Sequence, residues 1–379
     1  IGDKTGRRNA FILYEAIHIA SMVVGAFSPN MDFLIACRFV MGVGLGALLV
    51  TLFAGFTEYM PGRNRGTWSS RVSFIGNWSY PLCSLIAMGL TPLISAEWNW
   101  RVQLLIPAIL SLIATALAWR YFPESPRWLE SRGRYQEAEK VMRSIEEGVI
   151  RQTGKPLPPV VIADDGKAPQ AVPYSALLTG VLLKRVILGS CVLIAMNVVQ
   201  YTLINWLPTI FMTQGINLKD SIVLNTMSMF GAPFGIFIAM LVMDKIPRKT
   251  MGVGLLILIA VLGYIYSLQT SMLLITLIGF FLITFVYMYV CYASAVYVPE
   301  IWPTEAKLRG SGLANAVGRI SGIAAPYAVA VLLSSYGVTG VFILLGAVSI
   351  IVAIAIATIG IETKGVSVES LSIDAVANK

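Results

Sequence analysis

The chain has 379 residues, 56% of them hydrophobic and 13% charged, and its 28 Lys+Arg against 20 Asp+Glu leave a net charge of +8. That composition excludes an ordinary soluble domain, which carries about 25% charge and about 45–50% apolar residues. A single histidine and four cysteines (Cys37, Cys83, Cys191, Cys291), all within apolar stretches and without ligand spacing, exclude a histidine-rich metal centre, and there is no Walker-type phosphate loop to drive a pump.

In chain order, ten apolar stretches are long enough to cross about 30 Å of hydrocarbon as helices. The chain opens on the basic turn Asp3–Arg8. A first span follows at about 10–30, with Glu15 two turns inside it and His18 one turn further. The depth of Glu15 suits a helix-end salt bridge better than a proton site, for which it is only a weak candidate. The second span, 33–55, carries Arg38, Gly42, Gly44 and Gly46. The third, 72–95, carries Asn77, Trp78 and Tyr80, and the fourth is 101–122. A polar connector, 123–185, then holds a predicted surface helix over Arg134–Glu147 and an extended Lys155–Pro159 segment. Six more spans follow at 186–212, 221–243, 250–269, 272–298, 311–335 and 338–361. The expected organisation is thus an N-terminal half over 1–122, the connector 123–185, and a C-terminal half with its tail over 186–379.

Positive charge sorts by loop. Lys4, Arg7 and Arg8, then Arg63, Arg65 and Arg71, then the connector, Lys245, Arg248 and Lys249, and Lys307 and Arg309 all fall on alternate connections. The intervening loops carry almost no net positive charge. By the positive-inside rule the basic set faces the cytoplasm, which places both ends of this chain there and accounts for +8 without nucleic acid.

A repeat organises these loops. Asp3-Lys-Thr-Gly-Arg-Arg8 is similar to Asp244-Lys-Ile-Pro-Arg-Lys249. Glu58 lies 55 residues after Asp3, and Glu300 lies 56 after Asp244. Glu124 and Glu362 lie 121 and 118 residues after the same two aspartates. Three paired motifs in one order and one spacing are hard to produce by chance and indicate an internal repeat.

These motifs, with Trp100-Arg101 and Pro123-Glu-Ser-Pro-Arg127, resemble the major facilitator superfamily in its sugar-porter-like branch, over nearly the whole chain. The resemblance implies an all-α polytopic membrane fold of twelve helices in two pseudo-symmetric six-helix halves. Ten are present here, and the family's helices 1 and 2 are expected to precede Ile1. It also implies secondary transport by alternating access rather than catalysis, in the plasma membrane and most simply a bacterial inner membrane. No cofactor is implied, the partners are a small-molecule substrate, protons and the lipid bilayer, and the carrier is expected to be a monomer. Asp3, Arg7, Arg8, Glu58, Arg65, Glu124 and Arg127 in one half, and Asp244, Arg248, Glu300, Arg309 and Glu362 in the other, are expected to form cytoplasmic gate networks.

Intramembrane charge marks function by default. Arg319 lies about 15 Å along its helix from Arg309, close to the midplane. Its setting, Gly318-Arg-Ile-Ser-Gly322, resembles the eleventh helix of the organic anion and cation transporters, where anion carriers have arginine, and this implies an anionic substrate. Asn197, Gln200, Tyr201, Asn205 and Trp206 on the fifth span depart from the sugar-porter pattern and weaken a hexose assignment. Asn77, Trp78, Tyr287 and Asn315 complete the expected substrate site. The expected cargo is a small organic acid or sugar acid. A sugar porter and a non-transporting receptor on the same fold stand as alternatives.

Overall fold

A computed structural model describes residues 5–59, 65–154, 156, 173–303 and 306–364, with backbone alone at 49–50, 53–59, 65–70, 127, 131 and 307–308. The described residues are helical, and their apolar stretches become helices because lipid leaves no other partner for backbone N–H and C=O groups. In order they are α1 Arg7–Ala26, α2 Met31–Tyr59, α3 Arg65–Asn77, α4 Ser79–Leu90 and α5 Ala96–Tyr121. The connector contributes α6 Pro126–Ser131, α7 Tyr135–Thr153 and α8 Tyr174–Leu177. Then come α9 Gly180–Thr213, α10 Leu218–Met229, α11 Gly231–Val242, α12 Arg248–Ser267 and α13 Met272–Val290, the last running through a π-helical stretch Cys291–Tyr297 into α14 Val298–Glu300. The final element is α15 Lys307–Ile359.

Eight helical stretches among the described residues are long and apolar enough to cross a membrane. The ten expected spans differ from these eight for two local reasons. The 72–95 span is interrupted at Trp78, which separates α3 from α4 and leaves neither long enough alone. The last two spans are joined into α15, whose helical geometry breaks only at Gly337 (φ 65, ψ −160). That backbone conformation is open to glycine and costly for other residues, so one residue makes the turn between two membrane-length helices. The surface helix expected over 134–147 runs on to Thr153 and ends at Gly154, which is left-handed (φ 64). Most of the extended segment expected at 155–159 lies outside the described residues.

The chain divides into two compact units. The first comprises residues 1–69 and 89–164. Within it α1 packs against α2 and α5, and Arg101 at the head of α5 donates to the carbonyls of Ala26 (2.7 Å) and Ser28 (3.2 Å), capping the end of α1. The outward faces of α5, such as Ile109 and Leu110, are exposed and apolar, as a lipid-facing surface requires. The second unit comprises residues 70–88 and 165–379. Its core is continuous along α9, with Leu193, Leu203 and Leu207 fully buried against α13 and α15. Residues 70–88 belong to this core: Phe74 meets Phe237 (6.1 Å), Trp78 meets Phe230 (6.4 Å) and Tyr80 meets Tyr287 (5.1 Å).

Candidate transport site and repeated carboxylate networks

At one end of the first unit, the Glu124 carboxylate accepts from the backbone N–H groups of Arg7 (2.6 Å), Arg8 (3.2 Å) and Ser125 (3.0 Å). It therefore caps α1 from 117 residues away. An added Cβ on Gly6 (φ +95) would strike this carboxylate, so glycine there is both conformational and steric. The Arg8 guanidinium donates to the Trp119 carbonyl.

The second unit repeats the device with more members. Glu362 accepts from the N–H groups of Arg248 (2.8 Å), Lys249 (3.2 Å) and Lys364 (3.1 Å), capping α12 as Glu124 caps α1. The Arg248 guanidinium reaches Glu300 (3.0 and 3.2 Å), Asp244 (3.1 Å) and the Met243 carbonyl. Thr363 Oγ1 donates to Glu300 at 2.6 Å, and Lys364 Nζ donates to the Lys245 carbonyl at 2.7 Å. Burial alone pushes the Glu362 carboxyl up, but its backbone donors and the Arg248 charge outweigh that and hold it below its ordinary range. Arg309 lies 5.2 Å over the Tyr174 ring. The repeat pairs Glu124 with Glu362 correctly, but it does not reveal that each carboxylate bonds mainly to backbone at a helix N-terminus, where orphan N–H groups and the helix dipole favour an anion. Asp3 and the side chains of Glu58, Arg65 and Arg127 lie outside the described residues.

The π-helical stretch connects this network to the membrane interior. Tyr292 and Tyr297 stack within it (5.0 Å, 14°), and the Tyr297 hydroxyl accepts from the Ile361 N–H at 3.0 Å, next to Glu362. Single-turn π segments recur at functional positions in helices.

Deeper in the second unit, Arg319 on α15 donates through Nη1 to the Tyr201 hydroxyl on α9 at 2.8 Å. Two glycines permit this approach. A Cβ on Gly318 would come within 2.8 Å of Leu193 Cβ and 3.0 Å of Asn197 Nδ2, and one on Gly322 within 3.0 Å of the Tyr201 ring. The buried Tyr287 hydroxyl makes no hydrogen bond of good geometry, although Tyr80, Gln200 and Tyr201 lie within its electrostatic reach. Tyr201, Gln200, Tyr287 and Tyr80 thus form one polar group beside an apolar core, with the exposed Arg319 at its edge, and an unpaired buried hydroxyl is a costly feature without a partner.

The other expected residues divide. Asn197 is buried, donates to the Leu193 carbonyl of its own helix (2.7 Å) and packs beside Gly318. Asn77 and Asn315 also back-bond within their helices, to Ser73 (2.7 Å) and Ser311 (2.9 Å). Trp206 packs against the core, whereas Asn205 is exposed, and Trp78 fills an aromatic contact with Phe74 and Phe230. The sequence reading passed over Asn225, Thr226 and Ser84. Thr226 Oγ1 donates to the Ser84 carbonyl (3.2 Å), and the Asn225 amide oxygen is buried without a partner. The available signal was two adjacent polar residues inside an apolar span. In the first unit, Glu15 bonds within its helix to His18 (3.3 Å), which replaces the expected helix-end salt bridge.

The comparisons agree with this architecture. The Major Facilitator Superfamily description matches residues 1–326. The inner membrane metabolite transport protein YdjE of Escherichia coli (strain K12) is 44% identical over 98% of this chain and 82% of its own length. The niacin transporter NiaP of Acinetobacter baylyi is 26% identical over 98% of this chain and 83% of its own length. The inward-open structure of the xylose transporter XylE from E. coli superimposes with a TM-score of 0.74 at 17% identity, over 98% of this chain and 83% of that one. With two repeated capping carboxylates, helices of membrane length and these matches, the chain belongs to the Major Facilitator Superfamily and is a multi-pass membrane transporter, not an enzyme.

Proposed function

We propose that the protein is a proton-coupled secondary transporter of a small organic acid or sugar acid, working by alternating access in a bacterial inner membrane. Arg319 would contact the carboxylate of the substrate. The observation that carries this reading is a guanidinium inside a membrane-spanning helix whose bond is to a neutral hydroxyl, Tyr201. A tyrosine orients the cation without neutralising it, so the charge remains available to an anion. Tyr201 would orient the guanidinium, and Gln200, Tyr287 and Tyr80 would supply hydroxyl and amide partners around that anion. Asn197, Asn77 and Asn315 would act more as helix glue, and Asn205, Trp206 and Trp78 as walls. The cytoplasmic networks around Glu124 and Glu362 would set the rim against which the path opens and closes.

The NiaP name supports the anionic reading, since niacin carries one carboxylate on an aromatic ring. The XylE likeness concerns fold alone. The deciding experiment is a thermal-shift panel on purified full-length protein against sugars, sugar acids, aromatic acids and cations at two pH values. Stabilisation by acids, lost in Arg319→Gln, supports the assignment. Stabilisation by neutral sugars that survives Arg319→Gln would replace it with the sugar-porter reading, and binding without flux in vesicles would favour a receptor.

A further inference from the structure

We infer that Glu15 and His18 form a proton-binding pair inside the first unit; this rests on the proton-coupled reading above and gives it a site within this chain. Glu15 Oε2 lies 3.3 Å from His18 Nδ1, and their side chains are 9% and 14% exposed. Both sit on α1, a helix of membrane length. An ionisable pair held in such a place needs a reason, because hydrocarbon disfavours either charge alone.

The surroundings isolate the pair. The elements packed on α1 are α2 and α5. At Gly44, α2 comes so close that an added Cβ would lie 3.1 Å from both the backbone nitrogen of His18 and the backbone carbonyl oxygen of Tyr14. The ionisable residues of α2 are Asp32, Cys37, Arg38 and Glu58 (with Tyr59 as its last residue). Cys37 meets α1 near Gly25, so Asp32 and Arg38 lie toward that end, Arg38 about 9 Å along the axis from Gly44, while Glu58 lies about 21 Å the other way. On α5, Glu97 and Arg101 stand at one end, where Arg101 caps the last turn of α1, and Arg120 and Tyr121 stand at the other, beside Trp119, which meets Arg8. Between Val102 and Trp119, α5 has no ionisable residue. On α1 itself the neighbours are Tyr14 and, at its start, Arg7 and Arg8. At the depth of residues 15–18, Glu15 and His18 therefore face no other charged side chain from the described residues of α1, α2 and α5.

A pair that shares one proton is neutral whichever member holds it. Losing that proton to water on one side leaves a net charge of −1, and regaining one from water on the other side restores neutrality; only N–H and O–H bonds are made or broken. A purely structural i,i+3 contact would hold the two side chains together without exchanging a proton during the cycle.

The test uses full-length protein in nanodiscs with ring-15N histidine. His18 is the one histidine of this sequence, and a His18→Gln difference spectrum identifies its signal. The expected result is a ring signal that responds to pH between about 5 and 8, with that response displaced in Glu15→Gln. Should Glu15→Gln not fold, Glu15→Asp keeps the charge, shortens the reach and is expected to displace the response as well. A ring signal that ignores pH, or ignores the change at residue 15, overturns the pair. In vesicles with nicotinate as probe, acid-driven accumulation is expected to fall at least tenfold in Glu15→Gln, and an unchanged dependence on the pH gradient overturns its role in coupling. Nicotinate that fails to accumulate in wild type counts against the substrate reading, while the ring signal still decides the pair.

Discussion

At the scale of single residues, Arg319 and Glu362 show how differently two charges are used in one half. Arg319 is held by one neutral hydroxyl. Charge-assisted hydrogen bonds contribute about 1.5–3 kcal/mol, so Arg319→Gln is expected to weaken binding of an organic acid by at least about tenfold in equilibrium titration. Tyr201→Phe removes only the bond that orients the cation, and its expected cost is smaller, about 0.5–1.5 kcal/mol. An equal loss in both variants would mean that Tyr201 itself binds the ligand. Glu362 instead satisfies backbone donors at the start of α12. Replacing a capping group costs about 1 kcal/mol, and Glu362→Gln is expected to lower the thermal midpoint accordingly at neutral pH. The carboxyl is held below its ordinary value of 4.5, so its contribution is complete above that value and is lost as pH falls through the folded value. Scanned below pH 4.5, the gap between variant and wild type should therefore close.

At the scale of elements, the meeting of α9 and α15 depends on Gly318 and Gly322. Gly318→Leu forces side-chain volume against Leu193 and Asn197, where overpacking costs about 1–3 kcal/mol. It is expected to lower both the thermal midpoint and acid binding, because Tyr201 and Arg319 move apart. Gly312→Ala is the control on the same helix, since an added Cβ there meets nothing within 4 Å. Most spans were legible from hydrophobic run length, because a membrane leaves a helix little choice. The break at Trp78 carried a local signal that run length alone overlooks: Pro81 has no N–H to donate to the Asn77 carbonyl four residues back, and aromatic packing against Phe74 and Phe230 surrounds the break. The turn at Gly337 was legible as a boundary between two spans. Within the site, the Arg319–Tyr201 pairing was partly legible: each residue stood out as polar in an apolar run, but their contact depends on inter-helix distance, which one sequence does not encode locally. Ser84 accepts from Asn225 Nδ2 through Oγ at 3.4 Å and from Thr226 through its backbone carbonyl at 3.2 Å, and it escaped notice because the latter acceptor is one that every residue carries.

At the scale of the whole molecule, the distribution of Lys and Arg predicts orientation. In a cysteine-free background, a cysteine placed at Lys245 is expected to resist a membrane-impermeant maleimide applied outside intact cells, and one at Lys219 to react. The reverse pattern would invert the topology. Both copies of the repeat were visible from motif and spacing, and the superfamily could be expected because those motifs, with Trp100-Arg101 and Pro123-Glu-Ser-Pro-Arg127, resemble its own. What spacing did not convey is that the contacts of Glu124 and Glu362 lie each within its own unit, so the expected gates include a part that stabilises each half by itself.

That last feature has a mechanical side. Glu362 ties itself to the start of α12 across 114 residues of chain, and Glu124 to the start of α1 across 117. Each carboxylate is the clasp of a long non-covalent ring, and the entropy of closing such a ring grows only slowly with its length. A force applied to the C-terminal tail meets the Glu362 clasp before any membrane helix bears load. Pulled from that end at neutral pH, the molecule should give a small first rupture, absent in Glu362→Gln, before the helices leave the bilayer.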